Sequence, residues 1–368
     1  IGAYAQHGSA EEALHYFEQM QEEGLFPNSV TFLCVLKACE TIHNLRLVHH
    51  KIVKERFEDV LGSILIDSYV KHGSLIEAHK IFEKLSNADV TAWTAMIGGY
   101  AENLPYHALN MFEEMKQANI KANKITFLCI LRASGDIGAM HRAIEIHAEI
   151  KGKGLLGKDM MIGTALVDMY TRCGMISKAQ EVHEELPVRD AVSWNALISA
   201  YSQQGESHLA LSCLQLMHLE GLSPDEVTFL CVLSACSHSG LFDESQILFA
   251  NMTEKYNITP DIEHHNCMLM LYACAGHFDK VMAVIKAMPS SDYSAVWITL
   301  LGACGKWGNL KLGKLAFDEA IQLDNSCAAP YILMASIFSD AGMPHEAGII
   351  DAMRLKYAGS KNRISMCE

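Results

Sequence analysis

The chain repeats itself with a period close to 101 residues, and this constrains its fold more than any other feature. Three segments align at once: Val30-Thr31-Phe32-Leu33-Cys34-Val35-Leu36, Ile125-Thr126-Phe127-Leu128-Cys129-Ile130-Leu131 and Val227-Thr228-Phe229-Leu230-Cys231-Val232-Leu233, 95 and 102 residues apart. Trp93, Trp194 and Trp297 are spaced 101 and 103 apart, while Tyr69 and Tyr170, and Tyr100 and Tyr201, are each separated by 101. A fixed period across 368 residues points to a stacked array rather than the two or three independent domains that length alone suggests.

Each period contains shorter units. In residues 191 to 225, Val192, Trp194, Leu197, Ile198 and Tyr201 form one helical stripe, Gly205 interrupts, and Leu209, Leu211, Leu214 and Met217 form a second before Gly221 and Pro224. Such a hairpin is too small to bury its own apolar face, so neighbours must cover it. With only 8 prolines and no useful run of strand alternation, the expected fold is an all-α solenoid.

Composition narrows the function. Half the residues are hydrophobic and 20% are charged, which excludes a disordered polyampholyte. No 18-residue window is free of polar interruptions, so a soluble chain is expected. The net charge of -14 argues against coating a nucleic acid by charge alone. Residues 293 to 368 are charge-balanced, so the deficit falls on residues 1 to 292, and no Lys or Arg occurs between Arg189 and Lys255. The 12 cysteines form no C-x-x-C pair; Cys34/Cys39 and Cys231/Cys236 lie in apolar runs and read as core residues of a chain in a reducing compartment.

The segments at residues 192 to 201 (Val-Ser-Trp-Asn-Ala-Leu-Ile-Ser-Ala-Tyr), 163 to 170 (Gly-Thr-Ala-Leu-Val-Asp-Met-Tyr) and 228 to 236 (Thr-Phe-Leu-Cys-Val-Leu-Ser-Ala-Cys) resemble the plant pentatricopeptide repeat family, PLS subclass. The resemblance covers nearly the whole chain. It implies a right-handed superhelix of about eleven stacked helix-turn-helix units. P-type units would span 1–28, 90–123 and 191–225; L-type units 29–59, 124–159 and 226–261; S-type units 60–89, 160–190 and 262–292. Residues 293–360 resemble two degenerate repeats of the E extension, and the tail 361–368 resembles the boundary at which a DYW deaminase domain often follows. The first L-type unit is short, apparently by a helical turn near Thr41 to Leu47. Uniform 34-residue tetratricopeptide repeats are the structural rival, but they fit these alternating unit lengths poorly.

Family members read single-stranded RNA one base per repeat, which the resemblance implies is done by the fifth residue of each unit, early in its first helix, and the last residue of the unit. Carried over residue by residue, these pairs are Ser63/Asp89, Thr94/Asn123, Thr164/Asp190, Asn195/Asp225 and Asn266/Asp292. In the family, Ser or Thr with Asp favours G, Thr with Asn favours A, and Asn with Asp favours U. The L-type pairs Leu33/Asp59, Leu128/Asp159 and Leu230/Asp261 lack a polar early residue and receive no base. The implied target is 5'-GANGUNU-3' upstream of an edited cytidine. Val30, Val192 and Val227 would sandwich bases. Helix capping is the competing reading, because Asp89, Asn123, Asp190 and Asp225 also suit that role.

The expected function is an organellar adaptor, mitochondrial or chloroplast, that selects a site for C-to-U editing. Small organellar editing cofactors and a deaminase acting in trans are its implied partners. Neither a membrane nor a small-molecule substrate is expected. A tetratricopeptide-like protein-interaction scaffold is the alternative, and it suits the acidic charge. His147-Ala148-Glu149 matches the H-x-E half of a zinc deaminase signature, but the P-C-x-x-C half is missing. His49-His50 and His264-His265 are adjacent pairs, which diverge on a helix. No enzyme, metal or cofactor is therefore expected in this chain.

Overall fold

A computed structural model describes residues 1–6, 10–288 and 294–357, and among them the chain is all-helical. It divides into two compact units, Ile1–Arg189 and Asp190–Glu368. The first contains α1 (Gly2–Gln6), α2 (Ala10–Glu22), α3 (Ser29–Ala38), α4 (Ile42–Lys54), α5 (Glu58–Lys71), α6 (Leu75–Lys84), α7 (Val90–Asn103), α8 (Pro105–Gln117), α9 (Lys124–Asp136), α10 (Met140–Gly152), α11 (Met160–Arg172) and α12 (Ile176–Glu185). The second contains α13 (Ala191–Gln203), α14 (Ser207–Leu219), α15 (Glu226–Ser239), α16 (Phe242–Glu254), α17 (Ile262–Cys274), α18 (Phe278–Ala287), α19 (Ser294–Trp307), α20 (Leu310–Leu323), α21 (Ala329–Asp340) and α22 (Pro344–Tyr357).

Within each unit the odd-numbered helices pack side by side, and each even helix packs on its own odd partner. Local chemistry sets these boundaries. Asp225 caps α15 by accepting from the Thr228 N–H at 2.8 Å, and the Thr228 hydroxyl reaches back to the Asp225 N–H at 3.1 Å, a reciprocal capping box. Asn123 with Thr126 and Asp190 with Ser193 do the same for α9 and α13. After α13, Gly205 takes φ +77°, and the Glu206 N–H closes on the Tyr201 carbonyl at 2.9 Å. This left-handed step turns the chain into α14 and favours glycine, which carries no Cβ penalty there.

The residues that mark the long period are core residues. Trp93, Trp194 and Trp297 are buried, as are Phe32, Phe127, Phe229, Tyr69 and Tyr170. Phe127 of α9 stacks edge-on against Phe112 of α8 at 6.1 Å, so one hairpin fills the hole left by the next. Burying each such ring stabilises the array by roughly 1.5–3 kcal/mol. Cys39 and Cys236 lie in this core, where burial pushes each thiol up to about 11; Cys34 and Cys231 are only half-buried.

Two local expectations change. The missing turn of the first L-type unit lies at the end of α3, which stops at Ala38, while α4 keeps its full length through Thr41 to Leu47. Cys39 is extended and Thr41 caps α4 by accepting from the Asn44 N–H at 3.2 Å, so these two residues force the early exit. Further on, α5 starts at Glu58, which places Asp59 in its first turn rather than at a cap. A unit beginning at residue 59 puts Ser63 in the fifth place, matching Thr164.

Successive hairpins share a second polar contact. The Tyr69, Tyr100 and Tyr170 hydroxyls meet His49, His79 and His147 Nδ1 of the preceding even helix at 2.9, 3.2 and 2.9 Å, and Tyr272 accepts from Gln246 at 2.8 Å. Burial, then the nearby Lys151 ammonium, holds the His147 pKa below the usual imidazole value; Glu185 opposes them and Lys178 adds to the lowering. A His whose folded pKa is depressed contributes stability above its unfolded value near 6.5, and that stability is lost as pH falls. Urea midpoints should therefore drop between pH 7.5 and pH 5. His147→Gln, which keeps a donor for Tyr170, should show a smaller drop; an unchanged pH dependence in the variant would count against this origin.

Gly163 of α11 and Gly62 of α5 face Leu186 and Leu85, and a Cβ at either position would overlap the leucine methyls. Gly163→Ala should therefore cost about 1–3 kcal/mol in urea unfolding, whereas Gly152→Ala, which meets open space, should be neutral or gain up to about 1 kcal/mol.

Candidate nucleic-acid interface

The proposed base-reading residues lie one turn inside odd helices: Ser63 on α5, Thr94 on α7 and Thr164 on α11 in the first unit, and Asn195 on α13 and Asn266 on α17 in the second. Their partners are the caps of the following odd helices. Asp89 caps α7, Asn123 α9, Asp190 α13 and Asp225 α15. Capping and pairing are thus the same geometry. Thr164 and Asp190 belong to different units, and Asp292 lies outside the described residues.

Hydrogen bonds within each pair determine what remains for a ligand. Ser63 Oγ donates to Asp89 Oδ1 at 2.8 Å, so both groups can then only accept. Thr94 and Thr126 hydroxyls lie 2.8 Å apart; because Thr126 Oγ1 donates to Asn123 Oδ1 at 3.0 Å, Thr94 supplies the hydrogen between them. An acceptor on Thr94 and the Asn123 amide donors remain. Asn195 Nδ2 donates to Asp225 Oδ1 at 3.0 Å, and Asn195 Oδ1 accepts from Thr228 Oγ1 at 2.7 Å, leaving one amide hydrogen beside a carboxylate. Burial raises the Asp225 carboxyl, and bonds from Thr228 and Asn195 outweigh it, holding the group below the usual carboxylate range. Asn266 Oδ1 is buried without a partner among the described residues.

These side chains do not stand free on a ridge. Thr94 and Asn195 are each only 8% exposed, because consecutive odd helices within a unit pack side by side and the fifth residue falls in their seam; Thr164 is also 8% exposed. Ser63 and Asn266 are half-buried. In the first unit the seam opens into a groove of about 660 Å³ lined by Thr94, Asn123, Ile125 and Cys129, with Lys71 and Arg132 at its border. In the second, Asp225 and Val227 line a hollow of about 570 Å³ with Lys255 and Tyr256. Cations at the first groove already face carboxylates: Lys71 pairs with Asp67 at 2.6 Å, and Arg132 lies 4.0 Å from Glu102 and 3.9 Å from Asp136.

Val30, Val192 and Val227 are 62%, 61% and 54% exposed, as flat apolar contacts for bases require. Leu33, Leu128 and Leu230 are half-buried; Asp159 and Asp261 cap α11 and α17. His147 is held by Tyr170, and Glu149 pairs with Lys153 at 2.9 Å, so the H-x-E triplet has packing roles. His264 is buried between the Asp261 carboxylate and the Glu226 carbonyl. Among the described residues no three His, Cys, Asp or Glu side chains converge as a metal site.

The side chains the sequence reading passed over are Thr126 and Thr228, which lock the Thr94/Asn123 and Asn195/Asp225 pairs. Their signal was present: an Asn or Asp three residues before a Thr recurs at 28, 123 and 225. Thr228→Val should cost about 1–3 kcal/mol, because it strips buried Asn195 of a donor. Urea denaturation of this variant beside Thr299→Val, an exposed hydroxyl bonded within its own helix, isolates the effect.

The PPR repeat pattern matches residues 1–25, 63–90, 91–120, 164–190, 227–256 and 263–293, the PPR repeat family pattern 189–238, and the pentatricopeptide repeat domain pattern 110–156. Two Arabidopsis thaliana proteins, the chloroplastic pentatricopeptide repeat-containing protein At3g57430 and the mitochondrial At2g03880, are each 33% identical over 93% of the chain, which spans 41% and 54% of their lengths. The crystal structure of the pentatricopeptide repeat protein PPR10 in complex with an 18-nt psaJ RNA element superposes with a TM-score of 0.79 at 18% identity, over 98% of this chain and 55% of that one. The repeating caps, the seam of odd helices and these matches together establish that the chain belongs to the pentatricopeptide repeat family.

Proposed function

We propose that this chain binds single-stranded RNA in an organelle, one base per repeat, and thereby selects a cytidine for C-to-U editing. The observation that carries the reading is the unused hydrogen-bonding capacity at three pairs, Ser63/Asp89, Thr94/Asn123 and Asn195/Asp225. Two acceptors at Ser63/Asp89 suit the N1–H and N2–H of guanine. An acceptor beside an amide donor at Thr94/Asn123 suits the N6–H and N1 of adenine, and a spare amide hydrogen beside a carboxylate at Asn195/Asp225 suits the carbonyl and N3–H of uracil. These assignments coincide with the family rule and support 5'-GANGUNU-3' as the target. Val30, Val192 and Val227 would flank the bases. The chain's similarity to mitochondrial and chloroplastic proteins, and its fold similarity to an RNA-bound one, favour an organellar transcript.

The cations bordering the first groove already face carboxylates and residues 190 to 254 carry no Lys or Arg, so affinity rests on base fit and the salt dependence is shallow. Small organellar editing cofactors would then reinforce binding, and the deamination would come from another protein or domain. The test compares this oligonucleotide with one whose two G positions are U. Two mismatches at about 1–3 kcal/mol each predict at least tenfold weaker binding. Asn195→Thr should shift the preference at its base from U toward G; equal binding of both oligonucleotides, or an unchanged preference, would refute the reading.

A further inference from the structure

Successive even helices of the first unit are tied across their outer face by a cation. Lys51 of α4 donates to Gln21 of α2 at 2.7 Å, and Arg46 of α4 meets Glu77 of α6 at 2.8 Å. Arg142 of α10 meets Glu113 of α8 at 3.0 Å, and Lys151 of α10 meets Glu185 of α12 at 3.2 Å. At the α6–α8 junction no such bridge occurs among the described residues. Glu83 occupies the place in α6 that Glu113 holds in α8, but His107 stands in α8 where Arg142 stands in α10. The exposed His107 ring stacks instead on Tyr100 at 5.7 Å.

An open cleft of about 840 Å³ lies here, bounded by α6, residues 85 to 89 after it, α7 and α8. The carboxylates of Glu83, Glu114 and Asp89 line it, together with the rings of Phe82, Trp93 and Tyr100, and no Lys or Arg does. Asp89 is engaged by Ser63 and the Ala92 N–H, whereas the near partner of Glu83 is the His79 imidazole at 3.5 Å on its own helix.

We propose that this cleft receives an arginine from a basic segment of another protein, which supplies in trans the bridge that the array lacks here. A planar guanidinium can hydrogen-bond two carboxylates while its face lies on an aromatic ring, a combination an ammonium meets less well. Asp89 borders both this cleft and the proposed base-reading pair with Ser63, whereas Glu83 and Glu114 belong to the cleft alone, so exchanging those two leaves the oligonucleotide assay untouched.

The test titrates the full chain calorimetrically with the blocked peptide Gly-Ser-Arg-Gly-Arg-Ser-Gly and its Arg-to-Gln counterpart. The arginine peptide should bind and the glutamine peptide should not. Glu83→Gln combined with Glu114→Gln should weaken binding at least tenfold, while Glu254→Gln on α16 leaves it unchanged. His107→Arg should close the cleft in cis, abolishing peptide binding and raising Tm by a few degrees. Equal affinity for the two peptides, no binding by the wild-type chain, or undiminished binding by the double variant would overturn the proposal.

Discussion

α7 and α15 each begin on a carboxylate that serves two helices at once. Asp225 satisfies the N–H groups at the start of α15 and also receives the amide of Asn195 from α13. The register between neighbouring hairpins is therefore fixed by a directional contact as well as by apolar packing, which tolerates sliding. Without that contact Asn195 would be buried and unsatisfied, a cost comparable to losing a helix cap. The hydrophobic period brings the odd helices together, and the cap decides which residue faces which.

The array was legible in the sequence because its core is periodic: the tryptophans, tyrosines and phenylalanines that set the period are the ones that pack. The pairing of Asn195 with Asp225 and of Ser63 with Asp89 could also be foreseen. The depth of the reading residues could not be. Spacing places Thr94 and Asn195 on the correct face, but their 8% exposure depends on how closely the odd helices approach. The shortened unit was misplaced for a related reason: residue counts reveal a missing turn, while the extended Cys39 and the cap at Thr41 decide which helix loses it. The Asp59 boundary slipped because an acidic residue suits the first turn of a helix as well as its cap.

Charge behaves differently in different parts of the molecule. At the groove of the first unit Lys71 and Arg132 already face carboxylates, so a phosphate there must compete with them. On the outer side similar ion pairs act as struts between even helices, and their periodicity makes one missing strut conspicuous. A net charge summed over the chain conceals both arrangements.

The locked network around Asn195 also bears on how such a protein can change its target over generations. Asp and Asn both appear as caps in this array, Asp at 89 and 225 and Asn at 123, so exchanging one for the other alters the presented edge while the next helix keeps its start. A residue without a capping side chain at these places would undermine the neighbouring hairpin. On the proposed reading, selection on folding therefore confines the last position to a few short polar residues, and most of the recoding freedom falls to the partner one turn into the preceding first helix.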